Sequence, residues 1–117
     1  MTTNGMRMRS KSELIIGDIL EKYGIIYRYE QAIEICGKIY YPDFVILCDD
    51  GTIIIWEHFG LMEDESYKLK AFNKICDYRK LGFKQYKNLI CTWEDDLESM
   101  ENIEDIVNRI ILKSKVW

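Results

Sequence analysis

Apolar positions recur first at helical spacing, then in the tighter alternation of strands, then at helical spacing again, so the chain reads as a mixed α/β fold. Residues 1–9 show no period and are expected to form a flexible N-terminal segment, leaving 10–117 as a single domain. Ser10 followed by Glu13 fits a capping box. Leu14, Ile15, Ile19, Leu20 and Tyr23 then share a helical face before Gly24, which predicts a helix over about 11–23. Ile25 to Glu30 reads as a strand. Ala32 to Cys36 continues it or bends into the next, with a turn at Gly37-Lys38 before Ile39 to Tyr41. Asp43 to Cys48 and Ile53 to Glu57 flank the hairpin signal Asp49-Asp50-Gly51-Thr52.

A second helix is predicted over about 64–81, where Tyr67, Ala71, Ile75, Tyr78 and Leu81 recur and Gly82 follows as the stop. Asn88 to Trp93 is a further strand. Asn102 is placed to cap a last amphipathic helix carrying Ile103, Ile106, Val107, Ile110 and Ile111. Glu104 and Asp105 suit its positive end, and Lys113 and Lys115 its negative end. The predicted order is helix, two or three strands as a meander, helix, strand, helix, with no internal repeat.

Composition narrows the class. The chain has 117 residues, 48% hydrophobic and 31% charged, a profile that excludes disordered and low-complexity classes. Its most apolar runs, Thr52 to Trp56 and Ile110 to Leu112, fall far short of the ~20 residues that span a bilayer. Met1 to Lys11 is basic without the apolar stretch of a signal peptide, so no membrane association and a cytoplasmic location are expected. Cys36, Cys48, Cys76 and Cys91 fit no zinc spacing and read as free thiols, and there is one histidine. Any metal must therefore be held mainly by oxygen, which selects magnesium-like ions. The net charge of -4 hides a division: seven acids lie between Glu94 and Asp105 without a base, leaving +3 for the rest. Lys68, Lys70, Lys74, Arg79, Lys80, Lys84 and Lys87 fall within 20 residues containing one acid, Asp77, which makes either a basic nucleic-acid face or a solvated helix surface.

Chemistry concentrates on two acids, Asp43 directly after Pro42 and Glu57 after the apolar run 53–56. A carboxylate at the end of an apolar strand is costly to bury alone, and two on neighbouring strands repel. A divalent cation resolves that repulsion, because Mg2+ accepts one or two carboxylates and completes its shell with water and substrate oxygens. Taken singly, Asp43 also suits a turn cap and Glu57 a solvated strand end, and the capping role accounts for Glu13.

These residues, in this order, resemble the PD-(D/E)xK nuclease superfamily. The matching strings are Tyr41-Pro42-Asp43-Phe44 and Ile55-Trp56-Glu57-His58-Phe59-Gly60, with Glu13 at the first-helix acid that many members possess. The chain is also similar to a narrower bacterial group, found alone or appended to helicase-like proteins. Its RSKSE start, YE pair, YPDF and WEH correspond here to Arg9 to Glu13, Tyr29-Glu30, Tyr41 to Phe44 and Trp56 to His58, followed by a helix with Lys74. The resemblance implies a restriction-endonuclease-like core, a central mixed β-sheet flanked by helices in the order α-β-β-β-α-β-α. It also implies Mg2+ or Mn2+ held by Asp43, Glu57 and Glu13. The superfamily's lysine, two residues after the second acid, is replaced by Phe59. Lys74, 17 residues after Glu57, could point its ammonium back over the sheet in that lysine's stead, and His58 could shuttle a proton. Neighbours on a regular strand face opposite ways, so Glu57 and His58 converge only through a bulge or a strand end.

Register sharpens the expectation. A two-residue Asp50-Gly51 loop would pair residues whose numbers sum to 101, placing Asp43 opposite His58 and the two acids on opposite faces. An odd loop, a bulge or a kink at Pro42-Asp43 is therefore expected. The function implied is a metal-dependent phosphodiesterase acting on DNA, with Lys11, Lys70 and Arg79 contacting phosphates; Tyr27, Tyr29 and Tyr86 could stack on bases, although strand-borne tyrosines usually pack. The first alternative is a catalytically degenerate module that binds DNA, or docks on a helicase-type or other protein partner, without cutting. The second is an assembly protein forming a homodimer through Trp93, Trp117 and the isoleucine-rich last helix, residues that more often belong to the core.

Overall fold

Helix α1 (Lys11–Lys22) begins where the capping residues dictate: Ser10 is the N-cap, and its side chain accepts from the Glu13 N–H at 3.1 Å. The computed structural model describes residues 1–85, 87–98 and 100–112, so the roles expected of Tyr86, Lys113, Lys115, Trp117 and the Ile110 side chain lie outside the described residues. The helix ends at Tyr23, with Gly24 at φ +67°. Its buried stripe is Glu13, Ile16, Gly17, Ile19 and Leu20, rotated from the expected one so that Leu14 and Ile15 are only half-buried. Gly17 explains the rotation, because Thr2 and Met8 lie across it and a Cβ there would come within 2.7 Å of Met8 Cε. Residues 1–9 form neither helix nor strand but are bonded to α1. Thr3 N–H donates to Asp18 Oδ1 at 2.8 Å, and Asn4 N–H to Glu21 Oε1 at 2.7 Å. These are main-chain donors, which no side-chain pattern announces.

Strand β1 (Tyr27–Tyr29) is followed by a separate hairpin, β2 (Ile33–Ile35) and β3 (Lys38–Tyr40), that pairs only with itself. Its turn sits one residue earlier than expected, on Cys36 and Gly37, both at positive φ (51° and 81°), as a tight two-residue hairpin turn requires. Strands β4 (Phe44–Leu47) and β5 (Ile53–Phe59), helix α2 (Glu65–Lys80) and strand β6 (Leu89–Trp93) complete the principal elements. The main sheet has the order β1-β4-β5-β6, with β1–β4 and β4–β5 antiparallel and β5–β6 parallel. It is a mixed four-stranded sheet flanked by helices.

Alternation divides the sheet into two unequal faces. Phe44, Ile46, Ile54, Trp56 and Ile90 pack with Ile16, Ile19 and Leu20 of α1 in the main core, whereas Ile55 and Leu89 pack with Tyr78 of α2 in a smaller cluster. The hairpin residues Ile33, Ile35 and Tyr40 close that second cluster. After β6 the chain makes a 3₁₀ turn (Glu94–Glu98), then α3 (Met100–Ile106) and a wider π-helical stretch (Val107–Leu112). Asn102 is thus inside the helix and exposed, not its cap, because the helix starts at Met100, ahead of it. Ile103, Val107 and Ile111 are fully buried in the main core and are unavailable as a dimer surface, and Trp93 is half-buried against Phe59. Among the described residues no helix is long and apolar enough to cross a membrane.

The β4–β5 hairpin carries the expected irregularity. Phe44 faces Trp56 and Leu47 faces Ile53, pairs whose numbers sum to 100 rather than 101. Cys48 N–H bonds Thr52 O at 2.9 Å, enclosing the odd loop Asp49-Asp50-Gly51, in which Gly51 takes φ +88° and Asp50 accepts from the Thr52 N–H and hydroxyl. A branched side chain at this left-handed position costs roughly 1–2 kcal/mol. Gly51→Val should lower the thermal midpoint by several degrees, with Gly51→Asn falling between it and the parent, as read by circular-dichroism melting.

Candidate functional site

The ladder that pairs Phe44 with Trp56 continues to place Asp43 opposite Glu57. Both side chains fall on the α2 side of the sheet, where the backbone bends at Asp43 after the buried Pro42. Glu57 is 1% exposed, in a position where an ionised carboxylate must be matched. Two residues of α2 match it. Tyr78 donates its hydroxyl to Oε1 at 2.9 Å, and Lys74 donates its ammonium to Oε2 at 2.9 Å. The i, i+4 spacing of Lys74 and Tyr78 puts both donors on one helical face. Burial against Glu57 drives the Tyr78 hydroxyl well above the ordinary phenol range.

Asp43 is the less compensated of the pair. Burial first, then the Glu57 charge, push its carboxyl up to about 7, against the pull of the His58 N–H, which donates to Oδ2 at 2.8 Å, and of Lys74. When protonated, Asp43 hydrogen-bonds Glu57. Glu13, in the first turn of α1, lies near enough for Asp43 to act on its charge. Its Oε1 accepts from Tyr29 Oη at 3.1 Å and Ser10 Oγ at 3.2 Å, while burial and then Asp43 raise its pKa. Glu13, Glu30, Asp43 and Glu94 line an open groove of about 570 Å³, with Arg9 at its edge. Among the described residues no three His, Cys, Asp or Glu side chains are grouped to hold a metal ion, but Mg2+ requires only one or two carboxylates besides water. Asp43 and Glu57 share one ammonium between them, and two hard oxygen donors short of positive charge fit such an ion.

His58 reaches Asp43 through its main chain only. Its ring turns to the α1 side, where Nδ1 lies 2.9 Å from Thr92 Oγ1 and Nε2 lies 2.8 Å from Glu94 Oε1. Trp56 Nε1 can only donate and takes a lone pair of the same Thr92 hydroxyl at 3.0 Å. The Thr92 hydroxyl is thus shared between the indole N–H and the imidazole, and the imidazole bridges Thr92 and Glu94. His58, and secondarily Ser12 at 3.0 Å, hold Glu94 below the usual carboxylate range. With both ring nitrogens engaged, the His58 side chain ties the end of β5 to Thr92 and Glu94.

The structure therefore brings Asp43, Glu57 and Lys74 together, while Glu13, Asp43 and His58 line one groove. Lys11, Lys70 and Arg79 are exposed. Lys70 shares the face of Lys74 one turn earlier, whereas Arg79, five residues on, points about 140° away around the helix. Tyr27 and Tyr29 are not free to stack on bases: their rings pack on Phe44 at 5.7 and 5.6 Å, and their hydroxyls bond Glu21 and Glu13. Tyr78, Thr92 and Glu94 were not legible as site residues. Tyr78 read as part of an apolar stripe and Glu94 as part of an acidic run, although the four-residue step from Lys74 to Tyr78 carried the signal.

Comparison with known proteins gives a limited match. The chain is 34% identical over 88 residues to an uncharacterized protein of Methanocaldococcus jannaschii, an overlap covering 74% of this chain and 7% of that protein. The chain thus spans a small fraction of the length of the relative it matches. No protein-family model matches the chain. No solved structure matches it either.

The raised carboxyl of Asp43 makes stability pH-dependent. Between about pH 4 and 7 the unfolded chain has lost a proton that native Asp43 retains, so stability falls as pH rises through that window and levels off above it. Glu13 contributes with the same sign. In chelator, Asp43→Asn should remove most of this slope and raise stability at pH 8 by on the order of 2 kcal/mol, after discounting for partial exposure. Thermal unfolding at pH 5 and pH 8 checks it; an unchanged slope in the variant would assign the effect elsewhere.

Proposed function

We propose that this chain is a metal-dependent phosphodiesterase of the PD-(D/E)xK type that cuts DNA. The observation that carries the reading is the hairpin register that sets Asp43 opposite Glu57, with Lys74 Nζ 2.9 Å from Glu57. The topology agrees with a restriction-endonuclease-like core: α1, the antiparallel neighbours β1, β4 and β5, then α2 and the parallel strand β6. The β2–β3 hairpin is an insertion between the first two sheet strands.

Bound Mg2+ or Mn2+ would polarise the scissile phosphate and lower the pKa of water; Asp43, Glu57 and a main-chain carbonyl near His58 would hold it, with Glu13 contributing through water or a second ion. The chain's own residues do the rest. Lys74, half-exposed at the edge of the buried pair, orients the attacking water and screens charge developing on the phosphorus oxygens. The His58 N–H fixes Asp43 Oδ2, and the ring, clamped by Thr92 and Glu94, keeps that N–H in place. Lys70 and Lys11 take flanking phosphates, so affinity falls steeply with salt.

One observation favours a second reading, a degenerate module that binds DNA or a protein partner without cutting. Phe59 replaces the motif lysine and is 4% exposed, packed on Trp93, and Lys74 already neutralises Glu57. Both readings meet one assay. Parent protein should nick or cut DNA with Mg2+ or Mn2+ and not in chelator. Asp43→Asn and Lys74→Met should each reduce the rate by about two to three orders of magnitude with the circular-dichroism spectrum retained. Equal cutting by Asp43→Asn removes the nuclease assignment; salt-sensitive DNA binding with no metal-dependent cutting by the parent selects the second reading.

A further inference from the structure

Glu57 is held by two partners of different permanence. Tyr78 is fully buried, and its ring is fixed by Tyr40 and Phe83, with ring centres 5.7 and 6.4 Å away. Its ring packs in a cluster with Ile55, Ile75, Leu89 and Phe83, a space that phenylalanine would also fill. The hydroxyl's partner there is Glu57 Oε1, at 2.9 Å. Lys74 holds the other oxygen, Oε2, from a flexible side chain that is 36% exposed and can swing into solvent.

We propose that Tyr78 is a positioning residue of the metal-dependent site: its hydroxyl fixes the Glu57 carboxylate so that Oε2 is the edge offered to a hard divalent cation. The inference rests on the nuclease reading above and adds to it the group that orients the ligand. A carboxylate with one oxygen bonded to a packed phenol has its other oxygen directed toward Lys74. A cation arriving there exchanges with the mobile ammonium and leaves the buried aromatic undisturbed. Donors that orient metal ligands from outside the coordination shell contribute about 10- to 100-fold in affinity.

The test is Mn2+ binding by calorimetry in the absence of DNA, followed by the Mn2+ dependence of cleavage. Tyr78→Phe keeps the ring and should raise the Mn2+ Kd about tenfold, moving the metal dependence of cleavage by the same factor. Phe83→Leu, in the same cluster, should lower the thermal midpoint while leaving the Mn2+ Kd within about twofold. Parent-like Mn2+ binding by Tyr78→Phe, with Asp43→Asn losing it, overturns the role of Tyr78 and leaves the nuclease reading intact. Equal weakening by Phe83→Leu and Tyr78→Phe reduces Tyr78 to packing and overturns the proposal as well. Failure of the parent to bind Mn2+, or unaltered binding by Asp43→Asn, removes the metal-dependent reading and this inference with it.

Discussion

A carboxylate enclosed on the face of a β-sheet has to be matched within hydrogen-bond reach, and the α2 side of this molecule is organised around that requirement at Glu57. Lys74 and Tyr78, one helical turn apart, supply the match, and in doing so they set the rotation of α2 over the sheet. The opposite face is mainly apolar. There Phe44, Ile46, Ile54, Trp56 and Ile90 meet α1 and α3 in the larger of the two clusters, which supplies most of the apolar burial.

That division of labour has a physical logic. The apolar face stabilises the sheet, so the α2 face can tolerate an acidic pair whose mutual repulsion opposes folding. Asp43 records the tension directly: burial and its neighbour push it toward protonation, and a main-chain N–H from the adjacent strand pulls it back. The anchoring of that N–H runs through His58 to Thr92, Trp56, Glu94 and Ser12, so the end of β5 is tied to β6, the 3₁₀ turn and α1 at once. The histidine thereby serves as architecture for the site.

Much of this was legible in the order of residues. Ser10 and Glu13 marked the start of α1, Gly82 the end of α2, and Asp49-Asp50-Gly51 the hairpin, because capping and turn chemistry are local. The acids were legible because an unmatched charge beside an apolar run is conspicuous. Other features depended on contacts distant in the chain. The rotation of α1 follows from Thr2 and Met8 lying over Gly17, and the β2–β3 hairpin from a turn at Cys36, where a non-glycine residue takes positive φ. The direction of the His58 ring was decided by Thr92 and Glu94, more than 30 residues away. Tyr78 looked apolar because its hydroxyl does not alter the helical period.

The three-residue turn between β4 and β5 sets a rule about length. A strand has a two-residue repeat, so with this sequence a two-residue turn would slip the ladder by one, set Asp43 opposite His58 and leave the two acids on opposite faces. A change by two would leave the facing intact. The turn chemistry at Asp50 and Gly51 is therefore what holds the two acids on one side of the sheet.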